Sequence, residues 1–285
     1  MNNNFKYRFD TAEYDLASRT HVMGILNVTP DSFSDGGRYL DVEHAIIHGQ
    51  MLTEDGADFI DIGGESTRPG SESVSIEEEI RRVIPVVESL AKIIKIPISI
   101  DTCKSDVAEA ALQAGAVIVN DISAMTFDPK MASIAAKYQA GVVLMHIKGT
   151  PKTMQMNPSY KNVTDEVKQF LRERIKKTAK AGIKQIIIDP GIGFGKTFEH
   201  NIQLLKELKS FTSLGYPLLV GVSKKSFLGA ILNLPPGERV EGTAAAVTAS
   251  ILNGANIIRV HDVKEMKRVA MVSDALKPAN LSEMP

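Results

Sequence analysis

The chain contains a single cysteine, Cys103, and no tryptophan. One cysteine excludes a disulfide framework, so we expect a reducing compartment and a cytoplasmic protein. No apolar run approaches the roughly 20 residues that a membrane-spanning helix needs. The segment from Met1 to Tyr7 is polar and lacks the apolar region of a signal peptide. We therefore expect neither secretion nor a membrane location.

The chain also lacks an excess of charge of either sign, because its 33 lysines and arginines balance 34 aspartates and glutamates. This balance gives no reason to expect a nucleic acid or an anionic membrane as a partner. Hydrophobic residues make up 44% of the 285 residues and charged residues 24%, as in ordinary globular proteins. No linker-like or low-complexity segment divides the sequence, so we predict one domain over residues 1–285, with its core at about 21–276.

What the chain does contain is a repeated unit, in which a short apolar segment ends in polar residues and a helical pattern follows. The first segment is His21–Asn27, and the polar loop Thr29–Gly37 comes after it. The later segments are 58–62, 97–101, 116–121, 141–146, 185–189, 217–222 and 256–260. Buried parallel strands have this β-branched, apolar composition. Eight such units predict an α/β fold, the (β/α)₈ TIM barrel, with long loops after its first two strands. A doubly wound open sheet is the alternative.

Local signals predict where several elements begin. Asp41 is an expected N-cap for a helix over 41–55, and Ser75 with Glu78 forms a capping-box pattern for a helix ending near Ile94. Pro129 is expected at the first position of a helix that runs to Gln139. Residues 1–19 are expected to form a short flap or hairpin ahead of the first strand.

Polar residues stand at the carboxyl ends of all eight predicted strands. In a TIM barrel these ends meet at one face, where the active site is built. Buried polar groups are costly without partners, so such a ring predicts a polar ligand. Carboxylate and amide oxygens can hold Mg²⁺ or bind the edge of a heterocycle, and basic residues, Arg68 among them, can bind an anion. Together these residues predict a ligand with a planar ring that bears a phosphate ester. The strand-end residues are Asn27, Asp61, Asp101, Asn120, His146, Asp189, Lys225, Arg259 and His261.

Other patterns have simpler interpretations. Gly191–Thr197 is similar to a P-loop, but the first glycine lies one residue too close to Gly195-Lys196-Thr197. We interpret its glycines as allowing close approach to a flat ligand held by Asp189. His44 and His48 lie four residues apart on one helix, without a third ligand, and are interpreted as an exposed face.

Three further features are interpreted as structural. Cys103 has no adjacent histidine and is expected to fill space. The basic residues of 168–180, which include Arg174, predict a solvated helix face. The small, apolar segment Thr243–Leu252 fits either barrel packing or a subunit interface.

Several segments resemble the dihydropteroate synthase family. The most specific are Met23–Gly37 and Asp61–Gly70. Further matches are Ile100–Thr102, Asn120–Ser123, Leu144–His146, Asp189–Gly195, Ser226–Phe227 and Arg259–His261. The resemblance implies a TIM barrel of the folate pathway, a sulfonamide target and a homodimer. It also implies a transferase that condenses 6-hydroxymethyl-7,8-dihydropterin diphosphate with p-aminobenzoate and releases pyrophosphate.

The resemblance further implies roles for individual residues. Those that hold the pterin are Asp101, Asn120, Asp189 and Lys225, with Ile122 and Met145 against its faces. Asn27 is implied as the ligand of Mg²⁺, and the diphosphate is bound by Asn27, Arg259 and His261. The p-aminobenzoate pocket comprises Phe33, Thr67, Arg68, Pro69, Phe194 and Ser226. The catalytic residues are Asp35, Asp101, Lys225, Arg259 and His261. Lys224 departs from the arginine that many relatives carry there.

These residue types agree with a reaction in which the C–O bond to the diphosphate breaks early, as in an SN1 reaction. Mg²⁺ and the basic residues would stabilise the leaving group, and loops that close over the site would exclude water. Two alternatives are a corrinoid-linked pterin methyltransferase and a catalytically silent pterin-binding barrel. The former would lack the phosphate-binding residues and the Ser-Thr-Arg-Pro loop, and both are present here.

Overall fold

A computed structural model describes residues 5–29 and 38–277 of the chain, with the backbone alone for 38–41. The strands of this part are β1 (Lys6–Phe9), β2 (Ala12–Asp15), β3 (His21–Asn27), β4 (Phe59–Gly63), β5 (Ile98–Asp101), β6 (Ile118–Asp121), β7 (Gly141–Met145), β8 (Ile186–Asp189), β9 (Leu219–Val220) and β10 (Ile257–Val260). The helices are α1 (Arg38–Glu54), α2 (Ile76–Ile93), α3 (Ser105–Ala114), α4 (Met131–Lys137), α5 (Val163–Lys180), α6 (Phe198–Lys206), α7 (Ser226–Leu232), α8 (Val240–Leu252) and α9 (Val263–Ala275).

The eight strands β3 to β10 form one parallel sheet in the order β8-β7-β6-β5-β4-β3-β10-β9. The two outermost strands of this order, β8 and β9, are joined by a parallel bridge between Ile188 and Leu218. The amide of Ile188 also donates to the carbonyl of Pro217 at 2.9 Å. The sheet therefore closes on itself, and the prediction of a (β/α)₈ barrel is confirmed.

Side chains alternate between the two faces of each barrel strand, and this alternation decides what reaches the interior. On β4, Ile60 and Ile62 lie in the core between strands and helices, whereas Phe59 lies in a separate cluster inside the barrel. Asp61 shares the inner face with Phe59 and is fully buried. Polar groups at the carboxyl ends of the strands are thereby directed into the barrel above an apolar interior.

The amino-terminal end of the barrel is covered by the antiparallel hairpin of β1 and β2. Phe9 and Leu16 pack there with the interior cluster of the barrel, which includes Phe59 and Ile257. The hydroxyl of Tyr7 donates to the carbonyl of Ile186 at 2.7 Å. The expected hairpin is confirmed, and it covers the end of the barrel opposite the strand-end polar residues.

Some boundaries differ from those expected. Ser75 caps α2 as predicted, because its hydroxyl accepts the amide hydrogen of Glu78 at 3.2 Å. Asp41 is not the N-cap of α1, which already begins at Arg38. Pro129 does not start α4 either, because the Asp128 carboxylate accepts the amide of Lys130 at 2.9 Å and holds the segment in a turn. Within the described ranges, no helix is long and apolar enough to cross a membrane.

Candidate active site

An arginine on β10 joins two carboxylates inside the barrel. The Nε atom of Arg259 lies 2.6 Å from Asp61 Oδ2, and its Nη2 atom lies 2.7 Å from Asp101 Oδ2. Asn120 Nδ2 donates to the same Asp61 oxygen at 2.8 Å. Four of the residues expected at the strand ends thus form one network. Because Asp61 is fully buried, it fixes the orientations of both Arg259 and Asn120.

The electrostatics of this network follow from burial. Burial raises the pKa of Asp101, and the charge of Arg259 offsets only part of that effect. Burial alone would lower the pKa of Arg259, but Asp61 and Asp101 outweigh it, so the guanidinium stays charged. The two bonds to carboxylates use two of its five N–H donors. The other donors remain for an anionic ligand.

Asp189, at the carboxyl end of β8, is the third carboxylate of the site. Its Oδ1 atom accepts the amide hydrogen of Gly191 at 2.7 Å, which fixes the orientation of the carboxylate. Burial raises its pKa to about 6. Lys225 follows β9, and burial together with the charge of Arg259 lowers its pKa to about 8. Both groups are therefore able to change protonation state close to neutral pH.

An apolar cluster lies beside these polar groups. It consists of Ile122, Met145, Ile147, Met154 and Phe194, with Cys103 packed against it. The prediction that Cys103 fills space is thus confirmed. The ammonium of Lys225 lies 4.1 Å from the centroid of the Phe194 ring, the distance of a cation–π contact. Hydrogen-bonding groups next to an apolar cluster suit a flat heterocycle, which needs both a polar edge and apolar faces.

Asn27 and His261 lie at the ends of β3 and β10. The Nδ1 atom of His261 lies 2.9 Å from Ser223 Oγ. Burial and then the charge of Arg259 lower the pKa of His261 to about 3, so the imidazole is neutral. A Cβ atom built on Gly63 would lie 3.7 Å from Asp101 Oδ2 and 3.9 Å from Asn27 Oδ1, so these two oxygens lie near the same strand end.

These oxygen ligands suit Mg²⁺, which binds through one or two protein oxygens and the phosphates of a substrate. Within the described ranges, no group of three or more histidine, cysteine, aspartate or glutamate side chains could hold a metal ion. The donor set at Asn27 and Asp101 therefore fits an ion that arrives with a phosphate ligand better than a metal ion enclosed by protein.

The described residues expected to bind a second substrate lie on segments that follow barrel strands. Thr67 is half-buried, and Arg68 and Pro69 are exposed, on the loop after β4. That loop contacts the loop after β7, because the amide of Gly70 donates to the carbonyl of Pro151 at 3.1 Å. Ser226 is exposed at the first position of α7. Phe33 and Asp35 lie outside the residues that the structure describes.

Two expectations about individual residues were wrong. His146 does not face the ligand site, because it follows the inward-facing Met145 and so lies on the outer face of the strand. Its ring packs edge-on against Phe170 of α5, with centroids 4.9 Å apart. Arg174 is not part of a solvated face, because its Nε donates to the carbonyl of Ala124 at 2.7 Å and its Nη2 to that of Met125 at 3.0 Å.

Lys196 has a place that sequence reasoning did not predict. The residue is buried, and its Nζ lies 2.9 Å from His146 Nδ1 and donates to the carbonyl of Phe194 at 2.9 Å. A P-loop lysine reaches towards phosphates, whereas this one is directed into the protein. The signal available in the sequence was a lysine within a glycine-rich loop that did not match the nucleotide-binding spacing.

Comparison with known proteins places this geometry in a family. Residues 23–261 match the family described as "Pterin binding enzyme". Dihydropteroate synthase of Synechocystis sp. is 50% identical over 266 residues, which are 92% of this chain and 92% of that protein. The Bacillus subtilis dihydropteroate synthase is 49% identical over 260 residues, covering 90% of this chain and 89% of that protein.

Solved structures show the same similarity. Dihydropteroate synthase of Xanthomonas albilineans with 4-aminobenzoic acid superimposes with a TM-score of 0.91 at 42% identity, over 99% of this chain and 100% of that one. The Yersinia pestis enzyme in a sulfonamide complex gives a TM-score of 0.89 at 44% identity, over 95% and 98% of the two chains.

Proposed function

The chain belongs to the dihydropteroate synthase family of pterin binding enzymes, and from this we propose the reaction and the roles of its residues. The chain condenses 6-hydroxymethyl-7,8-dihydropterin diphosphate with p-aminobenzoate to give 7,8-dihydropteroate and pyrophosphate, as a transferase of folate biosynthesis. The observation that carries the proposal is the convergence of Asp101, Asn120 and Asp189 beside an apolar cluster inside the barrel.

The pterin ring would bind deepest in the site. The carboxylate of Asp189 would accept N–H groups of the ring, while Asn120 and Lys225 would donate to its nitrogen and oxygen acceptors. Asp101, held by Arg259, would complete this polar edge. Ile122 and Met145, two members of the apolar cluster, would pack against the faces of the ring.

The diphosphate would lie at the rim, near the ends of β3 and β10. Arg259 would contribute the N–H donors that its two carboxylates leave free, and His261 would donate from Nε2, because its Nδ1 is paired with Ser223. Asn27 would ligate Mg²⁺ together with the phosphates. The ion, when bound, would neutralise charge that builds up on the leaving diphosphate.

The p-aminobenzoate would occupy the space between Phe194 and the loop after β4. Ser226 and Arg68 would bind its carboxylate, and Thr67, Pro69 and Phe33 would contact its ring. An arylamine is a weak nucleophile, so the C–O bond would break before the new C–N bond forms. The ring-binding carboxylates, with Asp35 from the loop after β3, would stabilise the positive charge at the pterin methylene. Closed loops would keep water away from it.

We propose that the protein is a cytoplasmic homodimer. Large apolar side chains are exposed on α7, α8 and α9, and exposed apolar surface on neighbouring helices supports an interface. They are Ile231, Leu232, Leu252, Met271 and Val272. The inner face of α8, with Val247 and Ile251, is buried in the barrel core. The two interpretations of the segment Thr243–Leu252, packing and interface, are therefore compatible with each other.

Product analysis tests the proposed reaction against its alternatives. The purified protein, incubated with the pterin diphosphate, p-aminobenzoate and Mg²⁺, should produce a compound with the mass of 7,8-dihydropteroate. A corrinoid-linked methyltransferase would instead need a methyl donor and a cobalamin partner. A silent barrel would bind the pterin without turnover. Absence of the product with both substrates bound would favour the latter.

A further inference from the structure

Among the residues that the structure describes, no carboxylate forms a hydrogen bond with the buried ammonium of Lys196, and this requires an explanation. Lys196 is 2% exposed. Its Nζ has three hydrogen-bond partners, all of them uncharged: His146 Nδ1 at 2.9 Å, the carbonyl of Phe194 at 2.9 Å and the carbonyl of His146 at 3.3 Å. Burying a charge without a counter-ion is costly, so a residue kept in this state is expected to have a function.

The three hydrogen bonds join the loop after β8 to the residue that follows β7. His146 follows β7, and Phe194 lies on the loop 190–197 after β8, which we call the glycine loop. When Lys196 is charged it only donates, so Nδ1 of His146 then accepts the hydrogen bond and its Nε2 carries the proton. The His146 ring is itself held edge-on against Phe170. Lys196 thus anchors the glycine loop to a side chain that the barrel core fixes.

Other contacts hold the glycine loop, but at different residues. The amide of Gly193 donates to Asn201 Oδ1 at 2.7 Å, and its carbonyl accepts from Gln155 Nε2 at 2.9 Å. Tyr160 donates to the carbonyl of Gly195 at 2.7 Å. Only Lys196, among the described residues, donates a side-chain hydrogen bond to the carbonyl of Phe194 itself.

The backbone of the glycine loop packs closely against the segment that follows β7. Gly191, Gly193 and Gly195 have φ values of 69°, 87° and 66°, in the left-handed region that favours glycine. A Cβ atom at Gly191 would overlap the carbonyl of His146, and one at Gly195 would overlap that of Lys148. This close backbone approach brings Phe194 O within reach of the lysine and places the Phe194 ring against Lys225.

We propose that Lys196 is a positioning residue for the second substrate, and that its ammonium fixes the Phe194 ring as one wall of the p-aminobenzoate pocket. The inference rests on the proposed function, in which Phe194 contacts p-aminobenzoate. The pterin-binding groups Asp101, Asn120 and Asp189 lie on strands whose positions the sheet determines. Loss of Lys196 therefore affects the second substrate more than the first.

The energetic cost agrees with a functional role. Burial lowers the pKa of Lys196 to about 7, with the charges of Lys225 and Lys148 acting in the same direction and Asp189 opposing them. A methionine at this position would fill similar space without that cost. Because all three hydrogen-bond partners are neutral, Lys196→Met leaves no carboxylate without a hydrogen bond. The Lys196 charge also lowers the pKa of Asp189, so the variants are compared above that pKa, where Asp189 is ionised.

The test is a comparison of Michaelis constants. Lys196→Met should raise the KM for p-aminobenzoate by about tenfold or more, because small displacements of a binding group have large effects on rate and affinity. The KM for the pterin diphosphate should change by less than about threefold. Phe194→Leu should give the same pattern. The double variant should be no worse than Phe194→Leu alone, because both changes remove one interaction.

Lys267→Met is the matched control. Lys267 donates to Asp58 at 2.9 Å at the opposite end of the barrel, so its loss should reduce stability and leave both KM values unchanged. An unchanged KM for p-aminobenzoate in Lys196→Met, or equal increases for both substrates, would overturn the proposal. Should Lys196→Met fail to fold, Lys196→Leu, which also removes every N–H donor, is judged by the same criteria.

Amide hydrogen exchange separates this inference from the proposed reaction. Exchange at 191–195 should be faster in Lys196→Met than in the wild type and unchanged in Lys267→Met. That result needs no turnover, so it supports the anchoring of the loop even if the wild-type protein releases no pyrophosphate. Equal exchange in all three proteins would overturn the anchoring, whatever the activity.

Discussion

Arg259 Nη2 lies 2.7 Å from Asp101 Oδ2, so the cation proposed for the diphosphate is bound to a carboxylate proposed for the pterin ring. The two groups cannot be altered independently. Arg259 lowers the pKa of Asp101 against the effect of burial, and Asp101 with Asp61 keeps Arg259 charged. The two ends of the first substrate are therefore bound by one electrostatic unit.

Arg259→Met should lower kcat/KM by roughly 10²–10³, the range for loss of one group that stabilises transition-state charge. The loss should include an increased KM for the pterin diphosphate, because Asp101 loses its partner as well. Initial rates of pyrophosphate release measure both effects. Arg19→Met is the control, because Arg19 also pairs with a carboxylate, that of Asp58, but at the amino-terminal end of the barrel. Similar losses in the two variants would refute the assignment.

Asp189 predicts how pterin binding depends on pH. Its carboxylate accepts N–H hydrogen bonds on both oxygens only when ionised, and burial raises its pKa to about 6. The affinity for the pterin should therefore be highest at pH values above this pKa. Below it, the affinity should fall by up to about tenfold per pH unit. Calorimetry with a pterin that carries no diphosphate avoids titration of the phosphate.

Two variants of Asp189 serve as controls for this titration. Asp189→Ala should abolish detectable pterin binding, since hydrogen bonds to a charged group contribute about 1.5–3 kcal/mol each. Asp189→Asn should bind weakly, and the loss of affinity that begins at about pH 6 in the wild type should be smaller. Wild-type affinity in either variant would remove Asp189 from the site.

Arg68→Ala should impair p-aminobenzoate more than the pterin diphosphate. Arg68 is exposed on the loop after β4, away from the strand ends that are proposed to hold the ring. We expect an increase of about tenfold in the KM for p-aminobenzoate, equivalent to about 1.4 kcal/mol. Saturation curves for each substrate at a fixed excess of the other provide the measurement. Equal effects on both substrates would contradict the place assigned to this loop.

Asp58 is expected to contribute to the stability of the fold and not to catalysis. Burial would raise its pKa, but hydrogen bonds from Arg19, the amide of Val22 and Lys267 outweigh burial and lower the pKa to about 2. The ionised form therefore stabilises the fold above the unfolded pKa of about 3.9, and this contribution is lost as the pH falls towards 2.

Asp58→Asn should lower the free energy of unfolding by about 2–3 kcal/mol at pH 7, and by less in acid. Urea unfolding at several pH values measures the difference. The kcat of the folded variant should match the wild type, because Asp58 lies at the amino-terminal end of the barrel. A large loss of kcat with unchanged stability would contradict this separation.

The barrel and most strand-end residues could be predicted from the sequence, because strands buried on both faces form continuous apolar segments. Alternation along the strand would also have corrected the prediction that His146 faces the ligand, since Met145 already occupies the inner face. The first residues of α1 and α4 were harder to predict from the sequence. The turn before α4 depends on Asp128, whose carboxylate also accepts the amide of Ser105 at 2.8 Å, a contact between residues far apart in the chain.

The pairing within the site could not be predicted, because it depends on which strands become neighbours. Arg259 and Asp61 are 198 residues apart in the chain, yet β10 and β4 both flank β3 in the closed sheet. Lys196 was interpreted through its glycine-rich surroundings, and its partner His146 comes from a different strand end. Such contacts follow from barrel closure and not from any local pattern.

Pyrophosphate release is the measurement that tests the account most directly. The wild-type protein should release pyrophosphate only when the pterin diphosphate, p-aminobenzoate and Mg²⁺ are all present, and one equivalent of 7,8-dihydropteroate should form for each pyrophosphate. Omission of p-aminobenzoate or chelation of the metal should reduce the rate to the background. Full release without p-aminobenzoate, or no release with all three present, would contradict the proposed function.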